Sequence, residues 1–313
     1  MTSAQLAAKR FLGHQFDIAS PHSLPPMTVW AVVLGSTFML AIQAWAPIVE
    51  FFHGHPALMR GLVGSLGAGL ATGIGAAPIL LLRHVSAKAQ DIMLGFGAGV
   101  MLAASVFSLI IPSIDAASLQ TGSKTLAALM VAAGIGLGGL FLLLADKLLP
   151  HEHFIKGPEG STRMRVQRVW LFVFAITLHN FPEGLAVGVA FAGGDAGVLL
   201  ATGMGLQNLP EGLVVAAALL TVGYSRIKAF LIASATGLVE PIGGLLGAGV
   251  VTAVQPLLPW ALAFAAGAML FVVNHEIVPE SHRKGHEKLA TGGVLVGFIL
   301  MMVLDTSAIE WFD

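Results

Sequence analysis

Val169–Phe191 reads VWLFVFAITLHNFPEGLAVGVAF, and Gly197–Val222 reads GVLLATGMGLQNLPEGLVVAAALLTV. Each is an apolar run of membrane-spanning length, because a hydrocarbon core of about 30 Å takes roughly 20 residues of helix. Each is also interrupted at its centre by one pattern, HNFPEG at His179–Gly184 and QNLPEG at Gln207–Gly212. The two segments form an internal repeat. A glutamate at the middle of an apolar helix, twice over, points to a buried cation.

Working outward, nine runs of this kind occur: Thr28–Phe52, Arg60–Leu82, Ile92–Ile111, Leu126–Leu149, Val169–Phe191, Gly197–Val222, Ala229–Val254, Pro259–Val278 and Leu289–Leu304. Hydrophobic residues make up 56% of the 313 and charged residues 11%, against about a quarter charged in soluble domains. The fold class expected is an all-α polytopic membrane protein of about nine transmembrane helices. The net charge of −1 and the lack of a basic block exclude nucleic acid as a partner. Cysteine is absent, so any metal is held by nitrogen and oxygen.

Lys and Arg concentrate on the cytoplasmic side of membrane proteins. With the N-terminus inside, the inner segments hold Lys9, Arg10, Arg83, Lys88, Lys147, Lys156, Arg163, Arg165, Arg168, Arg226, Lys228, Arg283, Lys284 and Lys288, and only Arg60 and Lys124 fall outside. That bias predicts a cytoplasmic N-terminus and a C-terminus outside, with Glu310 and Asp313. Small-xxx-small pairs at Gly69/Gly73, Gly95/Gly99, Gly134/Gly138 and Gly243/Gly247 predict close helix crossings. GIGLGG from Gly134 matches a dinucleotide-binding string but lies inside an apolar span with no strand before it.

Three consecutive spans carry a central carboxylate: Glu183, Glu211 and Glu240. His179 precedes Glu183 by four residues and Gln207 precedes Glu211 by four, which puts each pair on one helix face. Asn180 and Asn208 sit beside them, and Pro182, Pro210 and Pro241 each adjoin a glutamate. Proline removes the bond to the carbonyl four residues earlier, so Leu178, Leu206 and Gly237 are expected to offer free oxygens. With three glutamates, one divalent ion leaves −1 and two leave +1, so a site bridged by Glu183 and Glu211 is electrostatically reasonable. Imidazole, amide oxygen and carboxylate suit zinc, cadmium, iron(II) or manganese better than copper(I).

Other candidates lie along the same axis. His275 and Glu276, with Glu280, His282 and His286, form a possible exit relay; Asp91 opens the third span, and Asp115 and Asp305 face the outer side. For these an ordinary interfacial charge is an equal reading. Met101 and Ser105 are one turn apart in the third span, where packing is the default role of a methionine. His151 and His153, in the loop from Pro150 to Arg168, are either weak metal ligands or simply solvated.

HNFPEG, QNLPEG and the following VEPIGG resemble the core of the ZIP family of zinc- and iron-regulated-type transporters, in a prokaryotic member. The resemblance spans the chain from Arg60 onward. It implies an eight-helix transporter unit over 60–313 with a short His-bearing cytoplasmic loop at 150–168. Before that unit come a tail, 1–27, and an extra transmembrane helix, 28–52. It implies one metal at His179, Glu183, Gln207 and Glu211 with Met101, and a second at Asn180, Glu183, Asn208, Glu211 and Glu240. It further implies Zn2+ as the transported substrate with Cd2+ accepted, uptake across a bacterial inner membrane by alternating access, a homodimer, and no organic cofactor. Gln207 stands where many members have histidine.

Two rival readings are weighed against transport inward. An intramembrane metal-dependent hydrolase needs a free general base, but the HExxH string is absent and every acid has a role as ligand. A cation exporter stays open on ligands alone, although exporters of the proton-exchanging kind carry a cytoplasmic metal-binding domain.

Overall fold

The computed structural model describes residues 49–82, 84–148, 162–194 and 196–307, together with Met39 and Pro47. The expected span Thr28–Phe52 lies mostly outside the described residues, as do the tail 1–27, residues 150–161 with His151 and His153, and Glu310 and Asp313. Two compact units divide the chain, Met1–Gly54 and His55–Asp313. In the first, residues 49–54 are helical, and the rings of Phe51 and Phe52 meet edge to face at 5.5 Å.

In the second unit the described residues form helices and no strand. In chain order they are α1 (Pro56–Ala76), α2 (Ala87–Ala104), α3 (Ile111–Thr121), α4 (Lys124–Leu148), α5 (Thr162–Gly193) and α6 (Ala196–Thr221). They continue with α7 (Arg226–Thr236), α8 (Glu240–Ala253), α9 (Leu258–Val272), α10 (Val278–Ser281) and α11 (Glu287–Ser307). Among the described residues, seven stretches are long and apolar enough to cross a membrane: Pro56–Leu80, Ala87–Thr121, Lys124–Ala145, Val169–Gly193, Arg226–Ala253, Gln255–Ser281 and Glu287–Ser307. The remaining expected span of this unit is α6, of 26 residues, about 39 Å long at 1.5 Å per residue. Gln207, Asn208, Pro210 and Glu211 stand at its middle. The chain is an all-α polytopic membrane protein.

Local chemistry sets where these helices start and stop. Ser86 and Ser225 cap α2 and α7, their hydroxyls accepting from the backbone N–H groups of Ala89 at 3.2 Å and Lys228 at 3.4 Å. Gly122, at φ 65°, takes the left-handed conformation that closes α3. Two spans contain π-helical turns, Ser105–Ile110 between α2 and α3 and Val273–Ile277 between α9 and α10. The expected seventh span is broken by a 3-10 turn, Gly237–Val239, so Pro241 sits in the first turn of α8 rather than inside a helix. Proline is tolerated there because those N–H groups have no helical partner.

Glycine contacts hold the bundle together. A Cβ on Gly69 would lie 2.2 Å from the Gly237 carbonyl oxygen, one on Gly99 2.0 Å from that of Val294, and one on Gly138 2.0 Å from that of Phe264. One on Gly243 would lie 2.4 Å from that of Phe181. The small-xxx-small pairs are therefore crossing points, as small residues at membrane helix contacts lead one to expect. The Gly237 carbonyl, expected as a free ligand oxygen, is instead pressed against Gly69, because the break in the span is where α1 crosses.

Candidate metal centre

α5 and α6 present the repeated motif, with α1 and α8 packed against them. His179, Asn180, Glu183, Gln207, Asn208, Glu211 and Glu240 are all buried, none more than 4% exposed. His179, Glu183 and Glu211 each bring one ligand atom within 4.8 Å of the others. The four-residue spacing inside each helix and the side-by-side placement of α5 and α6 produce this convergence.

The contacts among these groups are specific. Gln207 Nε2 donates to Glu183 Oε2 at 2.7 Å and also meets Asn208 Oδ1. Asn208 Nδ2 donates to Glu240 Oε1 at 2.7 Å and to the Ala68 carbonyl of α1 at 2.8 Å. His179 Nε2 lies 3.5 Å from Glu211 Oε2, and its Nδ1 lies 3.5 Å from Glu276 Oε2. A proton on Nδ1, facing Glu276, leaves the Nε2 lone pair directed at the acidic cluster.

Much of the cluster is unsatisfied. Both amide atoms of Asn180, Glu183 Oε1, both oxygens of Glu211 and Glu240 Oε2 have no hydrogen-bond partner. Among the described residues no Lys or Arg pairs with the three glutamates. A buried polar atom left unpaired costs about 1–3 kcal/mol, more when charged. Several in one place, all of them oxygens apart from the Asn180 amide nitrogen, form a set suited to one or two divalent cations.

The other sequence candidates separate into those near this cluster and those apart from it. Glu276 reaches the cluster directly through His179. Met101 is 1% exposed, one turn after Gly97, whose Cβ position lies 3.6 Å from Gln207 Oε1. Ser105 is buried and donates to the Met101 carbonyl at 2.8 Å. Asp305, on α11, accepts from Ser108 at 2.9 Å, while Asp115 is exposed on α3. His275 stacks on Phe271, ring centroids 4.8 Å apart. Asp91 is fully buried and meets His286 Nδ1 at 2.9 Å and Lys284 Nζ at 4.0 Å. Sequence reading did not identify the Ala68 carbonyl or Thr72, both on α1; a backbone oxygen has no sequence signature, and a lone threonine in an apolar run carries almost none.

A family model described as "ZIP Zinc transporter" matches residues 158–305, which include every residue of the cluster. The chain is 51% identical over 249 residues to the zinc transporter GufA of Myxococcus xanthus, covering 79% of this chain and 98% of that protein. It is 46% identical over 293 residues to the zinc transporter ZIPB of Bordetella bronchiseptica, covering 92% and 94%. It is 33% identical over 337 aligned residues to the zinc transporter ZIP11 of Homo sapiens, covering 81% and 98%. With its motif pair at the meeting of four helices and such relatives matched over nearly their full length, the chain belongs to the ZIP zinc transporter family, as a prokaryotic member.

Proposed function

We propose that this protein transports divalent metal cations, Zn2+ first, with Cd2+ accepted and Fe2+ or Mn2+ as lesser substrates. The observation that carries the reading is the buried group of His179, Glu183 and Glu211, in which His179 Nε2, Glu183 Oε1 and both Glu211 oxygens have no hydrogen-bond partner, as is also true of the Asn180 amide and Glu240 Oε2. The relatives are named zinc transporters, and a ligand set without thiolate suits a cargo that has to be released as well as bound.

In this reading the site is binuclear. His179, Glu183, Gln207 and Glu211, with Met101, hold one ion, and Asn180, Glu183, Asn208, Glu211 and Glu240 hold the other. Glu183 and Glu211 bridge the two. Ions enter past Asp115, Asp305 and Ser105 and leave past Glu276, His275 and Asp91 towards the loop that bears His151 and His153. The protein works as a homodimer in the bacterial inner membrane, N-terminus cytoplasmic, and takes metal up by alternating access. The glycine crossings that join α1, α5, α6 and α8 support movement of these helices as one body against α2, α4, α9 and α11.

Purified protein reconstituted in vesicles, with zinc or cadmium entry followed by a trapped fluorescent indicator, tests the proposal. The expected result is metal-selective flux that Glu211→Ala abolishes. Flux unchanged by that substitution removes the site assignment, and a thiol at Lys156 that reacts with an impermeant reagent outside intact cells reverses the orientation.

A further inference from the structure

The repeat on α5 and α6 extends to the helices packed against them. A Cβ on Gly184 of HNFPEG would lie 2.0 Å from the carbonyl oxygen of Glu240 and 2.6 Å from its Cα. A Cβ on Gly212 of QNLPEG would lie 1.9 Å from the carbonyl oxygen of Thr72 and 3.1 Å from its Cα. Three residues beyond each partner, a glycine meets the carbonyl of the third motif residue: Gly243 meets Phe181 at 2.4 Å, and Gly75 meets Leu209 at 1.9 Å. Three residues before, Gly69 and Gly237 meet each other, each Cβ position 2.2 or 2.3 Å from the opposite carbonyl oxygen. These contacts define a pseudo-two-fold relation that exchanges α5 with α6 and α1 with α8, the arrangement of an internal repeat around a central site. Under it Thr72 is the counterpart of Glu240, and Asn180 of Asn208.

The side chains follow the backbone. Glu240 Oε1 lies 3.5 Å from the Cβ position of Gly69, and Thr72 Oγ1 lies 2.8 Å from that of Gly237. Glu240 is hydrogen-bonded to Asn208, but Thr72 Oγ1 and both amide atoms of Asn180, all on fully buried residues, have no hydrogen-bond partner. Two other buried helical hydroxyls turn back on the carbonyl four residues earlier, Ser65 on Gly61 at 2.6 Å and Ser105 on Met101 at 2.8 Å. For Thr72 that carbonyl belongs to Ala68, and it receives Asn208 Nδ2 instead.

We infer that Thr72 is a positioning residue of the metal site. Its hydroxyl, through one water, holds the Asn180 amide with its oxygen towards the ion, as Glu240 holds Asn208. A fourth carboxylate at this position would neutralise two divalent ions completely and retain them. The neutral hydroxyl leaves one side of the site weaker, which favours release.

The inference rests on the transport-site reading, and the test separates the two. Zinc is titrated calorimetrically into the purified full chain and into Thr72→Val, Thr72→Ala, Thr72→Ser and Glu211→Ala, with vesicle flux measured in parallel. Loss of an outer-shell partner weakens metal binding about 10–100-fold. Thr72→Val and Thr72→Ala are expected to weaken one of the two zinc-binding steps by that factor and to raise KM, with the metal-free melting temperature unchanged, while Thr72→Ser restores binding. Zinc binding by Thr72→Val equal to that of the unsubstituted chain, or failure of Thr72→Ser to restore it, overturns the role of the hydroxyl. Glu211→Ala binding zinc normally removes the site itself instead.

Discussion

Gly184 and Glu240 meet backbone to backbone, so close that a single added methyl on Gly184 would lie 2.0 Å from the Glu240 carbonyl oxygen. The contact sets how deeply the Glu240 carboxylate reaches towards Asn208, and thus the shape of one half of the site. Gly184→Ala forces α5 and α8 apart. Overpacking of this kind costs about 1–3 kcal/mol of stability, and a misplacement near 1 Å costs about 100-fold in function where geometry is strict. Thermal unfolding and vesicle zinc flux should both fall. Gly136→Ala, with nothing within 4 Å of its Cβ position, should change neither.

Glu276 lies 3.5 Å from His179 Nδ1. A carboxylate behind a ligating histidine fixes the tautomer and raises the basicity of the other nitrogen. Glu276→Gln should therefore weaken zinc binding about 10–100-fold, with Glu276→Asp intermediate. Equal zinc affinity in all three proteins, measured by calorimetry, would deny Glu276 this role.

Gln207 gives the site an amide where imidazole would bind zinc more strongly. In Gln207→His the hydrogen bond to Glu183 Oε2 is replaced by a stronger metal ligand. Zinc affinity should rise about tenfold and maximal flux should fall, because tighter binding slows release. A rise in both affinity and maximal flux would show that release is not limiting.

Asp91 is buried at the start of α2, tied to His286 and, at 4.0 Å, to Lys284, residues that lead into α11. Hydrogen bonds to charged groups contribute about 1.5–3 kcal/mol, and here both partners, His286 and Lys284, are partly exposed, which places the loss at the lower end. Asp91→Asn should lower the melting temperature of the metal-free protein. A raised zinc KM beside the lowered melting temperature is expected of a residue on the exit path, and an unchanged KM leaves Asp91 to the scaffold alone.

The sequence made the apolar spans legible because a membrane leaves little freedom in their length and composition. It also exposed the metal-site candidates, since a glutamate amid valine and leucine stands out and a spacing of four fixes the shared face. What it did not show is where helices break or cross. The π-helical turns at Ser105–Ile110 and Val273–Ile277 each end two residues before a proline, Pro112 and Pro279, but a proline alone does not say whether a helix bends, breaks or widens there. The Gly237 carbonyl was expected to face an ion and faces Gly69, because only the path of α1 decides that. Glu276 read as an interfacial charge or a relay; its contact with His179 depends on how α9 and α5 lie together.

The two motif halves differ at few positions: histidine against glutamine at 179 and 207, phenylalanine against leucine at 181 and 209, and, on the adjoining helices, glutamate against threonine at 240 and 72. The donors on the two sides of the site are therefore nearly the same, and the chemical difference between those sides lies in these departures together with Glu276 behind His179. Exchanging the residues within each pair measures how far the two sides are interchangeable in holding zinc.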